Sequence, residues 1–132
     1  MSKPPALPLR LKLVLASQGM APLAVKAAVV QQLGAANAAL LAPHMPPGQL
    51  KDLVPELPSA FVAQVISHLQ PAWILDTYLA MPDSLHLAVA RELCLQKLYD
   101  TAAQFAECLP PARLRNLIFG LEPDHVLQIA CF

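Results

Sequence analysis

Charge is scarce in this 132-residue chain, and neither sign prevails. Only 14% of the residues are charged, and the 9 basic residues balance the 9 acidic ones, so the formal net charge is zero at pH 7. Without an excess of positive charge, the chain has no overall electrostatic field that would attract nucleic acid. We therefore expect no nucleic-acid partner.

Long apolar runs are also missing, although 56% of the residues are apolar. The nearest candidate, residues 22–43, is interrupted by Lys26, by two glutamines, by Gly34 and by Asn37. A membrane-spanning helix needs about 20 predominantly apolar residues, so this segment predicts a buried helix pair and no transmembrane segment. The apolar run that follows Lys12 is too short for a secretory signal. Together these absences predict a cytoplasmic protein.

Residues that commonly carry chemistry are few and widely spaced. The three cysteines form an odd set in apolar surroundings, which predicts reduced and buried side chains. The histidines lack a second ligand at the short spacing of a metal site, and the four glycines form no phosphate-binding loop. We therefore expect no catalytic residue, no cofactor and no specific metal ion. These residues are Cys94, Cys108, Cys131, His44, His68, His86 and His125.

Proline, by contrast, is abundant, with 14 residues that recur between apolar stripes. Proline fits the first position of a helix, where its missing N–H has no partner, and it keeps the preceding residue out of the helical conformation. The stretch 57–82, LPSAFVAQVISHLQPAWILDTYLAMP, accordingly predicts two amphipathic helices of about ten residues, opened by Pro58 and Pro71.

The same spacing recurs along the chain. If each of six prolines opens a helix, the residues three and seven positions further on are all apolar, which chance would give about once in a thousand. The rhythm therefore predicts an all-α solenoid of about eight or nine short helices within one domain, 1–132. The six prolines are Pro47, Pro58, Pro71, Pro82, Pro111 and Pro123. The third positions are Leu50, Phe61, Ile74, Leu85, Leu114 and Val126, and the seventh are Val54, Val65, Tyr78, Val89, Ile118 and Ala130.

One long gap separates two of these prolines, and it predicts a longer helix over about 83–97 with Asp83 as its N-cap. A short helix should follow, with Asp100 near its start. Gly34 and Gly120 are expected to end the helices that precede them.

The N-terminal part is less regular. Residues 1–8 predict an extended lead. Residues 9–15 fit a strand, because leucine alternates with basic residues. They also fit a helix, because Leu11 and Leu15 lie three and seven positions after Pro8, the spacing seen after the six prolines. The helix is favoured, because no other segment could serve as a partner strand.

Two segments carry the proline rhythm most clearly, ELPSAFVAQVISHLQP and CLPPARLRNLIFGLEP. Short helices introduced by Leu-Pro or Pro-Pro, with apolar residues at fixed offsets, resemble the cytoplasmic N-terminal superhelical domain of MgtE-type magnesium transporters. They are also similar to the N-terminal domain of the flagellar motor switch protein. The resemblance covers roughly residues 43–132 and implies a right-handed superhelix. Ion sensing is not implied, because only Asp52, Glu56, Asp76 and Asp83 are acidic between 43 and 91.

Basic side chains give two weak signals. The first fifty residues contain four basic and no acidic residues, which fits either a surface for anionic membranes or a helix with its cations toward water. The second interpretation is favoured, because four charges are few. Arg113 and Arg115 lie two apart on one helix and therefore do not share a face, which predicts a solvated helix edge.

These features together predict a non-enzymatic helical-repeat scaffold or protein–protein interaction module. The high apolar fraction leaves one alternative, a carrier that holds an apolar ligand in a helical cavity. Candidate partner-binding residues are Trp73, which fits core and rim equally well, together with Leu127 and Phe132. Nothing in the sequence follows the last helix to cover it, so we expect an apolar patch there for a protein partner or for self-association.

Overall fold

Helices account for all the regular structure in the part of the chain that this computed structural model describes, residues 3–18 and 20–132. This confirms the all-α fold class, with ten α-helices and three 3-10 helices among these residues. The α-helices are α1 (Leu9–Gln18), α2 (Leu23–Leu33), α3 (Ala35–Leu41), α4 (Pro47–Leu53), α5 (Ser59–Ile66), α6 (Leu75–Ala80), α7 (Asp83–Leu95), α8 (Tyr99–Ala106), α9 (Pro111–Gly120) and α10 (Pro123–Ala130). The 3-10 helices are Ala42–His44, Val54–Glu56 and Pro71–Ile74.

The ambiguous segment 9–15 is helical and lies within α1. Its helix begins with backbone hydrogen bonds from Leu11 and Lys12 to the carbonyl of Pro8, and the Leu11 side chain is fully buried. Residues 3–8 precede this helix without regular structure. Met1 and Ser2, the start of the predicted extended lead, lie outside the described residues.

Proline marks helix starts in two ways. Some of the six prolines are the first helical residue, and others are the N-cap residue just before it. At both positions a backbone N–H would have no partner within the helix, so its absence in proline costs no hydrogen bond. Pro47, Pro111 and Pro123 begin α4, α9 and α10, Pro58 and Pro82 cap α5 and α7, and Pro71 begins a 3-10 helix.

The two glycines act differently from each other. Gly34 is the C-cap of α2, as predicted, and its φ of +86° lets the chain turn sharply into α3. Gly120, expected as a cap, is instead the last residue of α9. A Cβ at Gly120 would lie 2.6 Å from a methyl carbon of Leu87. A larger residue at this position would therefore require the Leu87 side chain to move, because α9 approaches α7 closely.

The end of α7 is set by a local hydrogen-bond pattern that the sequence did not reveal. Lys97 has a φ of +60°, and its N–H donates to the carbonyl of Cys94 at 3.1 Å. The N–H of Leu98 donates to the carbonyl of Leu93 at 2.8 Å. This is a Schellman motif with lysine in the left-handed position that glycine usually takes.

Alternate helices pack on one another along most of the chain. The odd-numbered helices α1 to α9 form one continuous series of packed neighbours, and the even-numbered helices α2, α4 and α6 form a second. The pairs are α1–α3, α2–α4, α3–α5, α4–α6, α5–α7, α7–α9 and α8–α10.

The buried apolar residues form two clusters that meet at α5. The first cluster includes Leu11, Leu41 and Leu53, and Val65 of α5 belongs to it. The second includes Leu93 together with Val62 and Ala63 of α5. Helix α5 therefore ties the two clusters together by presenting apolar residues to both.

The apolar residues three and seven positions after each of the six prolines are buried more often in the middle of the chain than at its end. None of the six residues at the third position is exposed, but only Leu50 is fully buried. At the seventh position Val65 and Val89 are buried, whereas Ile118 and Ala130 are exposed. The inward stripe therefore fails in α9 and α10, where fewer helices surround the chain.

Truncation of Leu11 to alanine should lower the free energy of unfolding by about 2–5 kcal/mol, since it removes a fully buried side chain. Leu13 lies on the same helix with 63% of its surface exposed, so Leu13→Ala is the matched control and should change stability by less than about 0.5 kcal/mol. Urea denaturation measures both variants. Equal losses would show that α1 is packed differently.

Candidate functional site

The most connected polar side chain in the structure is Arg113 of α9. Its Nη1 donates to the carbonyl of Leu79 at 2.6 Å and its Nη2 to the carbonyl of Met81 at 2.6 Å, while Nε donates to Oδ1 of Asp83 at 2.9 Å. The guanidinium therefore binds the end of α6 and the start of α7 at once. Asn116 adds a hydrogen bond to the other oxygen of Asp83.

His86 and Tyr78 extend this arrangement inward. Nε2 of His86 lies 2.7 Å from the carbonyl of Tyr78. Because a carbonyl only accepts, Nε2 carries the proton, and Nδ1 is left to accept from Nη2 of Arg113 at 3.3 Å. The Tyr78 ring stacks on the imidazole with centroids 4.5 Å apart, and its hydroxyl donates to the carbonyl of Phe105 at 2.8 Å. We call Arg113, Asp83, His86 and Tyr78 the Arg113 cluster.

Burial and hydrogen bonding shift the pKa values of this cluster in ways that fix its charge state. Burial lowers the pKa of His86, the Tyr78 carbonyl opposes that shift, and the Arg113 charge adds to it. Hydrogen bonds from Arg113 and Asn116 lower the pKa of Asp83. Burial raises the pKa of Tyr78. At neutral pH the cluster therefore holds a neutral histidine, a neutral tyrosine and one ion pair, and its polar atoms bond to the protein itself.

The sequence-based interpretation of one of these residues was wrong. Arg113 was expected on a solvated helix edge, yet it is partly buried and makes an ion pair with Asp83. His86 is buried in the first turn of α7. Arg115 is exposed, as predicted. The partners lie about thirty residues apart in the sequence, so no local spacing could have revealed them.

A second candidate site is an apolar cavity of about 110 Å³ between the two core clusters, partly open to solvent. It is bordered by residues of α2 to α9, and none of them is charged. Thr77, Tyr78 and His86 are the polar side chains that border it. The cavity therefore adjoins the inner side of the Arg113 cluster, and it suits an apolar molecule more than an ion.

A third candidate is the set of exposed large apolar side chains on α9, on α10 and just after α10, namely Ile118, Phe119, Leu127 and Phe132. Phe119 is 80% exposed, Leu127 is 66% exposed and Phe132 is 68% exposed. We call these four residues the C-terminal apolar surface. The exposure expected for Leu127 and Phe132 is thus present, and Phe119 is an addition that the sequence analysis did not single out.

Trp73 does not join that surface. It is half-buried and packs against the first core cluster, whereas α10 contacts the second cluster through Ile129. The structure therefore places Trp73 with the core and separates it from the other two candidate partner-binding residues.

The cysteines and acidic residues make no group with metal-binding geometry in residues 3–18 and 20–132. Cys94 is buried and Cys108 is half-buried, but Cys131 is exposed. The expectation that all three are buried is therefore wrong for Cys131, which follows α10.

None of the described helices is by itself long and apolar enough to cross a membrane. Helix α2 and residues 35–44 reach that length and composition only as a pair, and they are bent by 120° at Gly34.

Replacement of Arg113 by alanine should lower the free energy of unfolding by about 2 kcal/mol or more, because two backbone carbonyls and the buried His86 lose their donor. Arg115→Ala is the matched control two residues away, and it should be neutral within about 0.5 kcal/mol. Chemical denaturation compares the two. If Arg113→Ala were equally neutral, the cluster would have no structural role.

The His86 environment predicts a pH dependence of stability. Its folded pKa lies below the ordinary value of 6.5, so the unfolded chain takes up a proton first and stability falls as the pH drops below about 6.5. Asp83 acts only at lower pH, since its folded pKa is below 3.8. His86→Gln should therefore flatten the stability profile between about pH 7.5 and pH 5.5.

His68→Gln, at an exposed histidine, is the control for this measurement and should keep the slope of the original protein. Thermal melts at a series of pH values give both profiles. An unchanged slope in His86→Gln would contradict the assignment of the titration to this residue.

Comparison of the chain with known protein families, with curated proteins and with solved structures found no significant match.

Proposed function

We propose that this chain is a non-enzymatic helical-repeat scaffold that binds protein through the C-terminal apolar surface. The observation that carries the proposal is the exposure of large apolar side chains on α9 and α10, neither of which contains a fully buried residue. Exposed apolar side chains of this size in one part of a protein are typical of interaction sites.

The packing of alternate helices supports the scaffold part of the proposal. In solenoids each short unit contacts mainly its neighbours, and the stack presents an extended surface to partners. The two series of packed alternate helices support this part of the proposal. On this basis we propose a right-handed superhelix in a cytoplasmic protein, of the kind that the resemblance to the MgtE N-terminal domain implies.

A second copy of the chain is the partner for which the surface is best suited. An apolar surface is complementary to itself in chemistry, and two-fold interfaces use the same surface on both subunits. Aromatic side chains such as those of Phe119 and Phe132 are enriched in the buried centre of protein interfaces.

Self-association should therefore appear in light scattering as a rise of apparent mass with protein concentration. The double change Leu127→Ser and Phe132→Ser should abolish the rise, because it removes two of the exposed apolar contacts. Leu13→Ser is the matched control, since Leu13 is exposed to a similar degree on α1. A protein that stays monomeric at every concentration would contradict the proposal.

The cavity favours a second candidate function, a carrier for an apolar ligand. Binding pockets are mostly apolar and hold a few polar groups that orient the ligand, and the cavity beside Thr77 has that composition. A carrier would retain its ligand when the C-terminal apolar surface is altered, so the two functions are separable by experiment.

A further inference from the structure

We propose that the cavity binds a small neutral molecule of about the size of phenol, with an apolar body and one hydroxyl or carbonyl group that hydrogen-bonds to Thr77. The proposal rests on the carrier function given above as the second candidate. It adds the class of ligand and the residue that recognises it.

The size of the cavity limits the ligand. A cavity of about 150 Å³ lined by leucine, isoleucine and phenylalanine is large enough to hold benzene. The cavity here has a volume of about 110 Å³, so its enclosed part suits a single ring or a short branched chain.

The lining excludes a charged ligand. No charged side chain borders the cavity, and transfer of an ion into such surroundings without a counter-charge is strongly unfavourable. Arg113 does not border the cavity, and four of its five N–H groups are already bound to Leu79, Met81, Asp83 and His86.

Of the three polar side chains at the cavity, two already have their hydrogen bonds. The Tyr78 hydroxyl donates to Phe105, and both ring nitrogens of His86 are engaged by Tyr78 and Arg113. Thr77 differs from them. It is only 6% exposed, and its hydroxyl has no hydrogen-bond partner within residues 3–18 and 20–132.

A buried hydroxyl without a partner costs stability, and at the wall of a cavity the oxygen of a ligand can satisfy it. A molecule with a single oxygen on an apolar body matches both the hydroxyl and the remaining lining.

The chain provides a close control for Thr77. Thr101 of α8 is also 6% exposed, and its hydroxyl likewise has no partner in the described part of the chain, but it does not border the cavity. Replacement of either threonine by valine removes the hydroxyl group and keeps nearly the same side-chain shape. Only the change at Thr77 should affect the ligand.

The experiment compares phenol with toluene, which has a similar shape and no hydroxyl, by titration followed with NMR of the full chain. In the original protein both probes should shift signals of cavity residues, and phenol should bind about three- to tenfold more tightly. Thr77→Val should remove that preference and leave toluene binding in place. Thr101→Val and Thr77→Ser should keep the preference.

The possible results are distinct. If both probes bind but phenol has no advantage, or if Thr77→Val keeps the advantage, the role of Thr77 is overturned and the carrier function remains. If neither probe binds at millimolar concentration, the carrier function and the proposal are both overturned. Thr77→Ala is a second hydroxyl-free variant in case Thr77→Val does not fold, and it decides the question by the same comparison.

Discussion

The contact of Arg113 with the backbone between α6 and α7 is the interaction on which the central part of the structure depends. A helix end leaves carbonyl groups without partners, and this loss is usually made good by a local cap or by water. Here the carbonyls of Leu79 and Met81 receive a charged donor from α9 instead. The guanidinium thereby joins three helices and positions Asp83 and His86 at the start of α7.

This arrangement also determines the polarity of the core beside it. Since Arg113 donates to His86, and His86 donates to Tyr78, the imidazole stays neutral and its ring can border an apolar cavity. A protonated histidine at this position would place a second positive charge beside Arg113. The ion pair with Asp83 faces outward, so the charges of the cluster lie on the side away from the cavity.

The C-terminal apolar surface and the cavity have a common origin in the packing of short helices. Helices of six to ten residues bury only a narrow stripe each, so gaps remain where they meet and apolar side chains remain where the stack has few neighbours. The residues seven positions after the helix-opening prolines illustrate this, because Val65 and Val89 are buried but Ile118 is exposed.

The sequence by itself determined where the helices that follow a proline begin, because proline acts on its own residue and on the one before it. It also determined the inward stripe in the middle of the chain, because helical periodicity acts within a few residues. The left-handed cap at Lys97, the close approach at Gly120 and the burial of Arg113 were decided only by the tertiary structure. Each of these depends on hydrogen bonds or packing that become defined only when the helices assemble. The unpartnered hydroxyl of Thr77 has the same explanation, since its burial beside a cavity depends on helices drawn from most of the chain.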